Sequence, residues 1–489
     1  MISSQLSLQL SRAAAESEMQ NVYEDVSALD KRVCERFALT PQILVENAAN
    51  ALLELIKQKA HKKSVVTIIC GSGDNGADGY ALARKLSGSY RVRIYQAKEP
   101  KSPLCVEMCD KARLLEEIRF ITKLLPCDVV VDCLFGSGFR GSMSEELLQV
   151  LKTANALAPL KIACDIPSGL GGDYEISTPV FSAHHTMCMG ALKTTLFSDV
   201  AKDYVGEIHL AELGVARQNY EIASPLKLLE SSDLLLPTRT RQNAHKGDFG
   251  HLCVYAGSKS GAAILAAQSA LHFGAGLVSV VGEKLTPPYE IMTSKIAPHN
   301  TTAFALGMGL GELTPKILGD VLKRSEPCVV DADALHYAEI RELLEYRSLL
   351  DSAQRQIVLT PHPKEFVALL RICGFGDVAL TPTNRLEYAM RFSQRYPEVT
   401  LLLKGANTLI AHREKIYINP LGSVALAKGG SGDVLAGMIG ALLAQGRSGV
   451  ESAIHASLAH ALASHRESST YALTPQKLIE NLSLLERKH

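Results

Sequence analysis

A short β-branched run, Val65-Val66-Thr67-Ile68-Ile69-Cys70, passes directly into Gly71-Ser72-Gly73-Asp74-Asn75-Gly76-Ala77-Asp78-Gly79 and then into a helical pattern from Tyr80. Strand, glycine-rich loop and helix in that order are what a parallel βαβ unit requires, because the loop lets backbone approach a ligand at the strand's carboxyl end. The pattern recurs. Residues 128–132 lead into Leu134-Phe135-Gly136-Ser137-Gly138-Phe139-Arg140-Gly141, and residues 162–165 lead into Ile166-Pro167-Ser168-Gly169-Leu170. Asp132 and Asp165 could simply cap the elements that follow them, but three polar strand ends in one half favour a common site. The G-x-G-x-x-G spacing of the first loop is weak by itself. Its two acids would repel a bare pyrophosphate, and the strand at 91–95 lacks the terminal acid that holds a ribose. A dehydrogenase is therefore not expected, and the acids with Asn75 point to a cation or a hydroxyl.

At 489 residues the chain is too long for one core. Residues 1–60 read as helical. Alternation fades after Gly214, which gives an N-terminal domain over 1–218, a linker over 219–237 and a second domain over 238–489. The second half has strand candidates at 252–255, 277–281, 303–306, 328–331, 357–360 and 399–403, and a hairpin-like pair at 408–411 and 416–419. Helical patterns separate most of them, so the fold class is α/β in two domains, each a largely parallel, covered sheet.

Several strand ends of the second half carry polar or small residues: His245-Lys246-Gly247-Asp248-Phe249-Gly250, Gly307-Met308-Gly309-Leu310-Gly311, Asp331-Ala332-Asp333, Thr360-Pro361-His362-Pro363-Lys364-Glu365 and Lys404-Gly405-Ala406-Asn407-Thr408. Prolines on both sides of His362 stiffen it as a contact. Gly429-Gly430-Ser431-Gly432-Asp433 then opens an apolar helix. Backbone N–H groups converging at a helix N-terminus suit a phosphate or a developing oxyanion. Asp433 has two readings there, an N-cap or a general base.

Charge and composition exclude other classes. Formal net charge is zero and no long basic run occurs, so nothing points to nucleic acid or an anionic membrane. Residues 261–282 carry no formal charge, but His272 and Gly274-Ala275-Gly276 split them into a helix and a strand, so no membrane span is expected. Eleven cysteines without a C-x-x-C, and an N-terminus without an apolar leader, suit a reducing cytoplasmic setting. G-x-x-x-x-G-K-[ST], H-E-x-x-H and G-x-S-x-G are all absent, and His455, His460 and His465 share no helix face.

These motifs resemble a known family. HKGDFG, GMGLG, DADAL, TPHPKE, KGANT and GGSGDVLAG make the second half similar to the ribokinase-like ADP/ATP-dependent NAD(P)H-hydrate dehydratases. LVENAA, GSGDNGADGY, VDCLFGSGFRG and DIPSGL make the first half similar to the Rossmann-like NAD(P)H-hydrate epimerases. In this order the two resemble the fused bifunctional NAD(P)H-hydrate repair enzymes. For the first half the resemblance implies substrate binding by Asp74, Asn75, Gly76, Ala77, Asp78, Gly136, Ser137, Gly138, Phe139, Arg140, Gly141, Ser142 and Asp165. It implies K⁺ at Asn75, Asp132 and Ser168, with Asp165 catalytic and Lys193 a second candidate. For the other half it implies hydrate binding by Ala262, Gly309, His362 and Asp433, with Asp433 as base. It also implies ADP or ATP on Lys404, Gly405, Ala406, Asn407, Thr408 and Gly432, with Mg²⁺. The substrates would be NADHX and NADPHX, and the family admits a homo-oligomer. Asp74 and Ala77, where the family usually has Asn and Gly, depart from the epimerase pattern, as do Val45 and Ala49. A ribokinase-like small-molecule kinase with a non-catalytic nucleotide-binding N-terminal module is the alternative.

Overall fold

In the computed structural model, residues 19–139, 142–171, 179–283, 285–347 and 356–485 are described. They divide into two compact units, meeting in sequence between Ser224 and Pro225. The N-terminal unit holds β1 (Gln20–Tyr23), β2 (Val65–Cys70), β3 (Arg91–Gln96), β4 (Arg119–Ile121), β5 (Val129–Cys133), β6 (Leu160–Cys164), β7 (His185–Met189), β8 (Leu192–Lys193) and β9 (Glu207–Ala211). The C-terminal unit holds β10 (Leu226–Leu228), β11 (His251–Tyr255), β12 (Leu277–Val281), β13 (Met292–Ser294), β14 (Ala303–Leu306), β15 (Cys328–Val330), β16 (Ile357–Leu359), β17 (Val399–Leu403), β18 (Thr408–His412) and β19 (Lys415–Asn419).

The N-terminal sheet runs β4-β3-β2-β5-β6-β7-β9, and every pairing in it is parallel. Its central strands β2, β5 and β6 are rich in apolar residues because both faces are covered. Ile68, Val131 and Ile162 face one core, with the helices Pro41–Lys59 and Asp74–Leu86. Ile69, Val130 and Ala163 face the other, with Leu147 and Leu151 of the helix Glu145–Leu157. Strand order reverses at β2, which lies between β3 and β5. A crevice opens there at the carboxyl ends.

The glycine-rich stretch after β2 is shorter as a loop than the sequence suggests. The helix begins at Asp74 rather than Tyr80, so Asn75 to Gly79 are already helical. Glycine is needed within it for close approach. A Cβ on Gly79 would lie 2.9 Å from both Cys133 Cβ and Cys70 Sγ. Ala77 is completely buried in the same helix. Of residues 1–60, which read as helical, the described part contains β1 and the helices Ser27–Phe37 and Pro41–Lys59.

In the C-terminal unit the order is β13-β12-β11-β14-β15-β16-β17-β18-β19-β10. Pairing is parallel from β13 through β17, and antiparallel across β17-β18-β19. Within 219–237, where the sequence suggests a linker, Leu226–Leu228 pairs in parallel with Ile416–Ile418. The ladder fixes a stretch too short to show a period of its own. The uncharged stretch at 261–282 is divided between the helix Ser260–His272 and β12, and among the described residues no helix is long and apolar enough to cross a membrane.

The helix Ser431–Ala444 is apolar all round and correspondingly buried. It packs on Ser260–His272 so closely that a Cβ on Gly437 would sit 2.0 Å from Ala266 O and 2.1 Å from Ser269 Oγ. Gly437→Ala should gain about 1 kcal/mol of helix propensity and lose about 1–3 kcal/mol to overpacking. The expected net result is a lower urea midpoint of unfolding; a raised midpoint would contradict the rigid contact.

Candidate active sites

In the N-terminal unit the carboxyl ends of β2, β5 and β6 open onto a cavity of about 800 Å³. It is lined by Asp74, Asn75, Asp78, Gly136, Ser137, Gly138, Phe139 and Asp165 among the expected residues, together with Lys193, Lys98 and Asp30. Gly76 and Ala77 are buried in the helix behind it, and Ser142 is exposed outside its lining. Arg140 and Gly141 lie outside the described residues. The Phe135 and Phe139 rings, centroids 3.9 Å apart, give the cavity an aromatic wall.

At its base, buried Lys193 donates from Nζ to Asp165 Oδ1 at 2.6 Å and to Met189 O at 2.8 Å. Asp165 Oδ1 also accepts from Met189 N at 3.2 Å, and Oδ2 accepts from Ser137 N at 3.0 Å. Burial alone would push the Asp165 carboxyl up. The Lys193 ammonium and the two N–H donors outweigh burial and hold it below the usual value. Burial likewise opposes the Lys193 charge, and Asp165 overrides it, leaving the ammonium harder to deprotonate than usual. Asp165 holds this position at φ +67°, a left-handed conformation strained for a residue with a Cβ.

Two other carboxyls move the opposite way. Asp78 is pushed far up by burial and then by the Asp165 charge; its close partner is the Cys164 thiol, which donates to Oδ2 at 3.7 Å. Asp30 is raised chiefly by burial, although Tyr220 donates to its Oδ1 at 2.6 Å. Nothing in the local sequence of Asp30 signals this role, since it stands in an ordinary amphipathic helix.

Asp132 is completely buried beneath the same edge. Its carboxylate accepts from Ser168 N at 2.7 Å, Ser168 Oγ at 2.8 Å and Leu134 N at 3.1 Å. Burial nonetheless pushes it up to about 6, against those bonds. Asn75 Nδ2 is buried without a hydrogen-bond partner. Asn75, Asp132 and Ser168 each carry a side-chain oxygen, the ligand type that a hard monovalent cation takes, although the orphaned Asn75 atom is the amide nitrogen and the Asp132 carboxylate is already met by three donors.

In the C-terminal unit, Gly309, Asp331, His362 and Lys404 follow β14, β15, β16 and β17 in turn, and so share the sheet's carboxyl edge. Lys404 Nζ bridges both oxygens of Asp331, at 2.7 and 2.9 Å. Gly432 lies against this pair, where a Cβ would be 3.2 Å from Lys404 Nζ. Asp433 follows in the first turn of Ser431–Ala444 and makes no capping bond, because the N-cap is Gly430 at φ +93°. Burial first, then the Asp331 charge, push its carboxyl up to about 6, with Lys404 opposing.

Ala262 and Gly309 are joined through Lys259, whose N–H donates to Gly309 O at 3.0 Å and whose carbonyl accepts from Ala262 N at 3.2 Å. His362 caps the next helix, accepting from Lys364 N and Glu365 N at 3.2 Å each, and still keeps half its side chain exposed. Lys404 N donates to Pro361 O at 2.9 Å, so the nucleotide-loop candidates 404–408 are tied to the His362 turn. His460 Nε2 donates to Ser431 O at 2.9 Å, and His455 Nδ1 accepts from Leu235 N at 3.3 Å. Both serve the fold.

Two family models match the chain: that described as YjeF-related protein N-terminus over residues 41–195, and that described as NAD(P)H-hydrate dehydratase over 252–484. A bifunctional NAD(P)H-hydrate repair enzyme of Helicobacter pylori is 47% identical over 96% of this chain and 100% of its own length. The Escherichia coli enzyme of the same description is 31% identical over 95% of this chain and 92% of its own. An ADP/ATP-dependent NAD(P)H-hydrate dehydratase structure from Bacillus subtilis, co-crystallised with ATP/Mg²⁺, aligns at 27% identity and a TM-score of 0.42, over 51% of this chain and 92% of that one.

Lys193→Met tests the buried pair. Native Asp165, held below its unfolded value, contributes stability that is complete above about pH 4 and lost as pH falls through the folded pKa. Without Lys193, burial should raise the carboxyl instead. The variant should lose about 3–5 kcal/mol near neutral pH, and the loss should shrink toward about pH 5 as the carboxyl takes up a proton. Denaturant unfolding at both pH values measures it, and equal losses at both would refute the assignment.

Proposed function

Because the chain belongs to the family of bifunctional NAD(P)H-hydrate repair enzymes, we infer that it restores NAD(P)H from its hydrates. It epimerises R and S NAD(P)HX, and dehydrates the S form at the expense of ADP or ATP. The observation that carries this reading is the 47% identity to a repair enzyme matched along its whole length, spanning both units. A small-molecule kinase would leave the N-terminal cavity and its buried pair without a task.

In the N-terminal unit, epimerisation takes the C6 hydroxyl proton as the C6–N1 bond breaks with its electron pair going to N1, which receives a proton; reclosure of N1 on the other face of the resulting carbonyl reverses both transfers. Asp165, held ionised, is the base. Asp78 lines the same cavity and is pushed well up by burial and then by the Asp165 charge, which suits it to return the proton; neighbouring carboxyls whose environments drive them apart divide such work. Lys193 positions Asp165, and the Phe135–Phe139 wall receives the apolar face of the ring. K⁺ at Asn75, Asp132 and Ser168 would offset the buried Asp132 charge.

In the C-terminal unit, Asp433 accepts the C6 hydroxyl proton as that oxygen bonds to the terminal phosphoryl group of ADP or ATP, whose bridging P–O bond breaks. Phosphate then leaves C6 with the C–O electron pair while a proton is lost from C5, which regenerates the ring's double bond. Backbone N–H groups at the start of Ser431–Ala444 face the phosphoryl charge, with Lys404 beside them. Mg²⁺ would supply further neutralisation of the nucleotide's phosphates, near Asp331 and Asp433. Gly405, Ala406, Asn407 and Thr408 would hold the nucleotide, and Ala262, Gly309 and His362 the hydrate. All eleven cysteines are free thiols.

Recovery of NADH absorbance from mixed R and S hydrate, with ADP, Mg²⁺ and K⁺, tests the whole reading. Wild type should recover the entire mixture. Asp165→Ala should stop at the S fraction; loss of both activities would show a structural role instead. Asp433→Asn should abolish recovery while retaining nucleotide binding, and wild-type turnover would remove Asp433 from the base role. Since the base is the deprotonated form, dehydration should fall about tenfold per pH unit below the Asp433 value of about 6. A flat profile there would overturn it.

A further inference from the structure

The N-terminal sheet carries a second cluster, away from the cavity. His185 opens β7 and Glu207 opens β9, directly opposite one another in register. His209, two residues further along β9, shares the Glu207 face. Met189, which lines the cavity, lies four residues along β7 from His185, about 13 Å of extended chain.

Three ligating atoms converge here. His185 Nδ1 lies 3.2 Å from His209 Nε2 and 3.2 Å from Glu207 Oε2, and His209 Nε2 lies 3.7 Å from Glu207 Oε1. Bonds of about 2.0 Å in a tetrahedral shell separate neighbouring ligands by about 3.3 Å, close to this spacing. The simpler reading, a hydrogen-bonded imidazole pair beside a carboxylate, leaves both ring nitrogens aimed at the acid. The competing cation, Lys59 Nζ at 3.6 Å from Glu207 Oε2, is a partly exposed ion pair of little strength. Neighbouring His184 is committed to the fold, accepting from Lys161 N at 3.1 Å.

We propose that His185, Glu207 and His209 bind a divalent transition-metal ion of the zinc class, with water completing the shell. Two imidazoles and one carboxylate favour such an ion over Mg²⁺ or Ca²⁺, which prefer oxygen ligands throughout. At the amino ends of two neighbouring strands it acts as a clasp on the sheet's edge and takes no part in the cavity's chemistry.

The full chain, stripped with chelator and titrated with Co²⁺, provides the test. Saturation at one ion per chain is expected, with the visible bands of tetrahedral Co²⁺ and without the near-ultraviolet charge-transfer band that a thiolate ligand gives. His209→Ala and the more exposed Glu207→Gln should each weaken binding about tenfold or more, with epimerase turnover unchanged. Absence of saturable binding, binding unaltered in both variants, or a thiolate band accounting for the bound ion would each overturn the proposal.

Discussion

Both units depend on one constraint: a parallel sheet covered on both faces has little room for a charged group except at strand ends. In the N-terminal sheet, successive residues such as Ile68 and Ile69, or Val130 and Val131, enter different apolar cores. Any charge along those strands would be stranded away from water. Polar residues therefore gather where strands stop, and the reversal of order at β2 makes room for them. Asp132 is the near exception. Lying inside β5, it is held by three hydrogen bonds from Ser168 and Leu134.

The same constraint explains what was legible in the sequence. β2, β12, β14 and β17 stand out as largely apolar runs between glycine or polar punctuation, and their bounds match the residues expected. Strand-end motifs such as Asp331, Thr360-Pro361-His362 and Lys404 could be placed on one edge for that reason alone. Less legible was the start of the helix at Asp74, because four glycines and two acids between Gly71 and Gly79 read locally as loop. Tertiary contact with Cys70 and Cys133 decides otherwise. β10 was hidden for a related reason: three residues carry no period, and their structure comes from the β19 ladder. Asp30 is brought to the cavity by folding, with no local mark in its helix.

The two candidate sites use carboxylates under opposite electrostatic conditions. Asp165 is buried yet ionised, because a lysine and two backbone donors outweigh desolvation. Asp433 is less deeply placed, but it faces another acid whose own lysine is already engaged, so its proton affinity rises toward the middle of the pH scale. An alcohol is a weak nucleophile near neutral pH, and a base of intermediate strength is the better partner for it. Burial by itself predicts neither outcome; the number and sign of the neighbours decide.

The left-handed backbone at Asp165 bears on how such a protein can change. Glycine adopts φ +67° without penalty, and with it the buried lysine could also be replaced by an apolar residue of similar volume. Made together, the two substitutions relieve the folded chain, whereas either alone leaves a buried charge without its partner. Selection for robustness alone would thus erode the pair, and screens for thermostable variants that ignore turnover should be drawn to these two positions. A strained acid beside a buried lysine marks where sturdiness and reactivity pull a lineage in different directions.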